Sequence, residues 1–364
     1  MNISALGRCI DQPIILNKLH QKMPALLIGA GAGYGIYDTM KSTKGDNKKL
    51  KRQKAVKNLI IIGTTIAASL VGARGLRLKP FSFLGKKINL KEKQLIPALL
   101  PSSSMSEVLE KQNKAIDTFL FETQIRNKEV LKALAKARKQ PLSVKETDLV
   151  LREIPESQSK KKLLDTLLPE AENLDACGIF SEIGRLSLLG AIPVVGGIVG
   201  GITADKVTKT ETPKSVSNKI KEGFYQYFAN IFLCNVGACA ALFSAERLQA
   251  AKVIKPLTPV QRLVVILSGI TATGIVGGSY IANKMSQKII DPIFNKEKSL
   301  SKRHKGVYDE RKPELTDIAL HADDIATAGV LSGFKWIEPA LPFMYFVSGY
   351  RAGIGYRNNS QESV

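Results

Sequence analysis

The residues with the clearest potential for chemistry lie toward the C-terminus. Glu314, Asp317, His321, Asp323 and Asp324 cluster just ahead of the last apolar stretch. On a helix, Asp317, His321 and Asp324 stand at i, i+4 and i+7 and share one face. Two carboxylates flanking an imidazole can ligate a metal or exchange protons. The same residues also make an ordinary polar first turn, where acids complement the positive end of the helix dipole. Mixed ligands at helical spacing recur by chance, so no metal is assigned to them.

A second group consists of polar side chains inside apolar stretches. Lys335 and Glu338 stand at i, i+3 around Trp336, the single Trp of the chain. An ionisable group within a membrane segment is costly and points to function, although a pair at this spacing can neutralise itself. The plainer expectation is an interfacial pair anchored by Trp336, with Pro339 opening a fresh helix to about Tyr350. Glu182 and Arg185 form a similar pair just before Leu186, also expected at an interface. Asn230 and Asn235 fall inside a long apolar run, where amides hydrogen-bond across helices or line a polar path.

Familiar catalytic frameworks are absent. There is no G-x-S-x-G, P-loop or H-E-x-x-H motif. Gly29-Ala30-Gly31-Ala32-Gly33 neither follows a strand pattern nor precedes an acidic ribose contact, so it is not a nucleotide loop. Cys9, Cys177, Cys234 and Cys239 contain no C-x-x-C pair, which argues against a zinc ribbon or disulfide scaffold. No secretory signal is expected. No catalytic residue and no cofactor are assigned, and the chain is not read as an enzyme.

These residues sit in a chain whose apolar and basic residues are segregated. The 364 residues carry 53 Lys and Arg against 32 Asp and Glu, a net charge of +21, yet 44% of residues are hydrophobic. Five stretches lack charge altogether: Met23–Tyr37, Asn58–Ala73, Leu186–Ala204, Gly223–Ala245 and Leu263–Asn283. A sixth, Ile325–Tyr350, is interrupted by Lys335 and Glu338. A membrane helix needs about 20 mostly apolar residues. The third to fifth stretches meet that length. The first two are short, and fit buried helices, a re-entrant hairpin, or spans with snorkelling lysines.

Glycines recur at a spacing of four within these stretches: Gly29/Gly33, Gly31/Gly35, Gly196/Gly200, Gly197/Gly201 and Gly274/Gly278. Small residues four apart let two helix backbones approach closely, which is how helices associate where no hydrophobic drive operates between them. Gly197-Ile198-Val199-Gly200-Gly201 also recurs as Gly274-Ile275-Val276-Gly277-Gly278. Each is followed a few residues later by Ala-Asp or Ala-Asn (Ala204-Asp205, Ala282-Asn283), which suggests a degenerate repeat of one Gly-rich helix.

Boundary signals divide the chain further. Thr258-Pro259-Val260-Gln261 opens a helix expected over 259–290. Thr212-Pro213 opens the one before it, and Pro193 is expected to kink the third. Ser104 to Glu107 opens a charged helix to about Lys139, stopped by Pro141, and Ser143 to Glu146 opens another. The domains expected are an N-terminal region with two short apolar helices (1–95), a charged helical insertion (96–173), a membrane helix bundle (174–350) and a polar tail (351–364).

The loops are basic. Residues 41–57 hold eight Lys and Arg, 74–95 hold seven and 284–315 hold nine. Such loops attract anionic phospholipid head groups and bias topology. Six crossings would put 22 Lys and Arg on the side of 41–57, 204–222 and 284–315, against 11 in 74–95 and 246–262. The near-equal charge of 41–57 and 74–95 instead suits the second stretch, or the first two together, not crossing. The basic runs lack interleaved aromatics apart from Phe81 and Phe83, so nucleic acid is not expected as a partner.

The sequence therefore predicts an all-α, polytopic, multi-pass membrane protein with glycine-packed helices and a central water-exposed insertion. It sits in the lipid bilayer, against anionic head groups, with self-association into a homo-oligomer open. A non-enzymatic scaffold or assembly role comes first. A permeation protein, in which Asn230, Asn235, Lys335 and Glu338 face a path, is the alternative, followed by a peripheral membrane-surface protein.

Overall fold

The computed structural model describes residues 3–75, 104–169, 176–212, 215–294, 322–331 and 335–355. Every regular element among them is helical. Three helical stretches are long and apolar enough to cross a membrane: Lys48–Gly72, Glu182–Thr208 and Ser215–Ala250. The chain is an all-α membrane protein.

Helix α1 (Ile3–Ile10) leads into α2 (Pro13–Ser42), and α3 (Lys48–Gly75) returns antiparallel to it. The two apolar stretches are not short helices. They lie within helices of 30 and 28 residues. Lys, Arg and Gln are good helix formers, so the charged flanks continue each helix instead of ending it. Helix α3, whose basic flanks argued against crossing, has the length and composition for it. Helix α2 does not meet the same measure.

The central region forms four helices, α4 (Met105–Glu122), α5 (Lys128–Ala137), α6 (Val144–Glu153) and α7 (Gln158–Leu167). The helix expected to reach Lys139 is two, because Asn127 caps the second. Its Oδ1 accepts from the N–H groups of Glu129 and Val130, satisfying donors at a new N-terminus. Ser143 and Glu146 form a reciprocal capping box. Ile116, Phe119, Val130, Leu134, Val150 and Leu163 make a core separate from that of the bundle. Helix α1 docks on this module: Arg8 Nη1 donates to the Leu168 carbonyl at 3.3 Å, and Cys9 Sγ to that of Leu142 at 3.4 Å.

The bundle contains α8 (Ala176–Thr208), then α9 (Ser215–Tyr227), which runs through a π-helical segment, Phe228–Phe232, into α10 (Leu233–Ala250). Helix α11 (Pro259–Ile270) starts as the sequence predicts, with Thr258 and Gln261 closing a capping box. It does not continue as one helix to residue 290. It widens into a π segment, Thr271–Val276, is interrupted at Gly277, and resumes as α12 (Gly278–Met285), a further π segment, Ser286–Ile290, and α13 (Asp291–Phe294). The two copies of the Gly-rich sequence thus differ locally, since Gly197–Gly201 lies wholly within the α-helix α8.

The sixth stretch is not a single span. It comprises α14 (Ala322–Leu331), a 3-10 turn, Lys335–Ala340, and α15 (Leu341–Ile354). Pro342, not Pro339, occupies the first turn of the last helix. The contacts below show α3 and α9–α10 running antiparallel to α8, and α15 parallel to it. Leu59, Val71, Val195, Val199, Phe243 and Val264 are exposed on the outside.

Candidate functional site

Helices α3, α8 and α15 meet at two glycine faces of α8. A Cβ on Gly196 would overlap Ala68, and one on Gly200 would overlap the hydroxyl of Thr64, both on α3. On the other face, a Cβ on Gly197 or Gly201 would overlap the carbonyl oxygens of Gly349 and Gly353 on α15. Backbone lies directly against backbone here. A second crossing joins α10 to the π segment after α11. Gly237 meets the Gly269 carbonyl, Gly274 meets Cys234 Sγ, and a Cβ on Gly278 would stand 3.2 Å from the Ala229 carbonyl oxygen. Thr273 Oγ1 donates to the Leu233 carbonyl at 2.8 Å, a carbonyl of the opposing helix.

Gly29 and Gly33 behave differently. They are exposed, and a Cβ on either would touch nothing within 4 Å. The glycines of α2 that pack are Gly31, against Ile66 and Phe346, and Gly35, against Ile62. The register shifts by two residues because the buried stripe of α2 runs Leu27, Gly31, Gly35.

A row of buried polar side chains threads α9 and the π segment after it. Asn230 Nδ2 donates to Gln226 Oε1 at 2.9 Å, and Gln226 Nε2 donates to Glu222 Oε1 at 2.8 Å. The spacing of four places all three on one helix face. Glu222 lies 3.9 Å from Arg351 of α15. One turn earlier, Lys219 is ion-paired with Asp205, which also takes Lys57 of α3 at 2.5 Å. Asp205 and Lys219 are almost wholly buried, at 2% and 3% side-chain exposure. This cluster joins α3, α8 and α9 at the end of the bundle where Gln53 Nε2 also donates to the Thr208 carbonyl. It brings the basic sequences 41–57 and 204–222 together.

Toward the opposite end, Asn235 Nδ2 donates to Ser187 Oγ at 3.4 Å. Glu182 and Arg185, 3.4 Å apart, are both buried in the bundle, at the start of the apolar span Glu182–Thr208. Glu338 is likewise buried. The side chains of Lys335 and Trp336 lie outside the described residues. So do Asp317 and His321 entirely, and the side chain of Asp324. No group of three or more His, Cys, Asp or Glu able to hold a metal occurs among the described residues.

Sequence reasoning marked Asn230 and Asn235 but missed Glu222, Gln226 and Arg351 as their continuation. Compared with known proteins, the chain matches no family model, no curated protein and no solved structure.

Proposed function

We propose that the chain is a multi-pass membrane protein acting as a non-enzymatic scaffold, which holds its central helical module in a fixed position beside the bilayer. The observation carrying this reading is the backbone-to-backbone packing of α8 against α15 at Gly197 and Gly201. Such packing suits a rigid platform, and the docking of α1 joins that platform to the module. Buried polar pairs support the same role, because they specify one helix arrangement over its alternatives. The exposed valines and leucines fit lipid contact. The clustered basic sequences at one bundle end fit anionic phospholipid head groups. The three long apolar helices favour crossing over lying on the surface.

Chemical cross-linking in native membranes tests the scaffold role. The wild-type chain is expected to give discrete higher-order species, containing further copies or other proteins, that Gly197→Leu abolishes. A wild-type chain that yields only the monomer contradicts it.

A second reading, permeation, is favoured by the Glu222–Gln226–Asn230 row, since buried ionisable groups in membrane helices often mark ion or proton paths. It predicts flux in proteoliposomes that changes in Glu222→Gln and Glu338→Gln. Absence of flux for any tested ion removes its support.

A further inference from the structure

The connectors of the bundle are sorted by charge between its two ends. Asn58 Nδ2 donates to Thr39 Oγ1 at 2.8 Å. The α2–α3 connector therefore turns beside the Lys57–Asp205–Lys219 cluster, at the end where α8 gives way to α9. The chain after α11 arrives at the same end. Gly278 packs on Ala229, Ala282 on Tyr225, and the π segment Ser286–Ile290 on α9. Lys284 and Lys288, both exposed, thus come level with α9. The α10–α11 connector stands at the opposite end, because α10 runs away from α9 before α11 returns antiparallel to it at Gly237 and Gly269. The module stands there too. Helix α1, docked on it, leads into α2 at Pro13. From Pro13 to Thr39, α2 rises ~39 Å, more than the hydrocarbon core of about 30 Å.

Residues 41–57 hold eight Lys and Arg and one acid, and 204–222 hold five and three, whereas 246–262 hold four and one. The module is nearly balanced, with 13 Lys and Arg against 10 acids in 104–169. Short basic connectors stay on the cytoplasmic side during insertion. The seven Lys and Arg of 74–95 weigh less. They open a segment of about 100 residues between α3 and α8, and long segments are translocated largely regardless of charge. A second observation agrees. Lys48, Lys49, Lys51 and Arg52 are exposed in the first turns of α3, where the positive end of the helix dipole disfavours cations. The helix itself gains nothing from them there. A cytoplasmic leaflet carries anionic lipid, and each basic residue close to it adds to the attraction.

We propose that this basic end is the cytoplasmic face of the protein, seated on anionic head groups, and that the module is held on the opposite side of the membrane. The platform then presents the module to partners in the non-cytoplasmic space. The proposal rests on the crossing helices of the scaffold reading and adds the side, which charge counts along the sequence left open.

The test uses the full chain produced in a bacterial inner membrane, in spheroplasts and in inverted vesicles. A membrane-impermeant maleimide probes Lys44→Cys in the basic connector and Lys132→Cys in the module, both exposed positions. The wild-type chain gives the background from its own cysteines. Lys44→Cys should label roughly tenfold more in inverted vesicles than in spheroplasts, and Lys132→Cys the reverse. The opposite pattern overturns the proposal and leaves the crossing intact. Labelling of both cysteines from one side overturns it together with the crossing. Added to Lys132→Cys, Lys48→Glu/Lys49→Glu/Lys51→Glu/Arg52→Glu should raise module labelling in inverted vesicles several-fold, whereas Lys48→Arg/Lys49→Arg/Lys51→Arg should not. Retention through an alkaline carbonate wash shows that the glutamate variant still inserts. Unchanged labelling of that inserted variant overturns the role given to these cations, and the proposal with it. Where it does not insert, the two cysteine variants decide alone. Because labelling reports side and not association, failure here leaves the cross-linking result standing, and failure of cross-linking leaves this result standing.

Discussion

The side-chain amide of Gln12 closes a two-bond ring with the backbone of Leu142, 130 residues further along the chain. Its Nε2 donates to the Leu142 carbonyl at 2.8 Å, and its Oε1 accepts from the Leu142 N–H at 2.7 Å. Nε2 also donates to the Cys9 carbonyl at 2.8 Å. One buried side chain thereby satisfies the backbone of the module and the last turn of α1 together. It stands at the point where α1 gives way to α2, and so links the module to the first long helix of the bundle.

Replacing Gln12 with Ala strands the N–H of Leu142 and leaves its carbonyl only the weak Cys9 thiol donor. An unsatisfied buried group costs about 1–3 kcal/mol. The Leu142 amide is expected to exchange with deuterium much faster, and the junction at residues 11–13 to become protease-sensitive, while the bundle stays intact. Unchanged exchange at Leu142 would count against the docking.

The glycines divide into two classes with opposite expectations. Gly197→Leu drives a side chain into the Gly349 carbonyl and should destabilise the detergent-solubilised protein by about 3 kcal/mol or more, the upper end of overpacking costs. Gly29→Leu, on an exposed face with nothing within 4 Å, should leave the thermal midpoint unchanged. Equal losses in the two variants would show that spacing alone, not the contacts of α8, governs stability.

Much of this arrangement is legible in the sequence, and its limits have physical causes. Thr258, Pro259, Ser143 and Glu146 announce helix starts because capping is local chemistry. The glycine spacing of α8 shows that a backbone will approach, but not which one, because Gly196/Gly200 and Gly197/Gly201 face different helices. In α2 both Gly29/Gly33 and Gly31/Gly35 have the spacing, and only burial distinguishes them. Glu222 is not legible as part of the row because it lies just outside the uncharged stretch Gly223–Ala245, and nothing in the sequence distinguishes Gln226 within that stretch. Since Thr212-Pro213 opens that helix ahead of Glu222, the row Glu222, Gln226, Asn230 follows from helical periodicity once its members are known to be buried. The Gln12–Leu142 contact has no sequence signal, since nothing local joins positions so far apart.

Asp205 tests the buried ion cluster. Asp205→Asn leaves Lys219 buried without its counter-charge, and breaking a buried pair from one side costs about 3–5 kcal/mol. The thermal midpoint should fall accordingly. Adding Lys219→Met removes the stranded ammonium and should recover most of the loss. Failure of the second substitution to compensate would separate the two residues energetically.

Acid should loosen the module through Glu146. Burial raises its carboxyl pKa, but the Lys136 ammonium and the N–H and hydroxyl of Ser143 outweigh that and hold it below the ordinary value. A carboxylate depressed on folding stabilises the fold above its unfolded pKa. That stability is lost as pH falls through the lower, folded value. Melting of the helical signal, followed from neutral pH to below 4.5, the ordinary value, should show declining stability. Glu146→Gln should be less stable at neutral pH and should flatten the decline. An unaltered pH profile in this variant would assign the acid response to other groups.

The central claim is that this chain crosses a bilayer and does not merely bind one. Membranes containing it can be washed first with high salt and then with alkaline carbonate, which strips proteins held by charge. The protein is predicted to remain in the pellet after both washes, held by Lys48–Gly72, Glu182–Thr208 and Ser215–Ala250. Release by salt or carbonate, or recovery in the soluble fraction before either, would contradict the account and make these helices the interior of a peripheral or soluble protein.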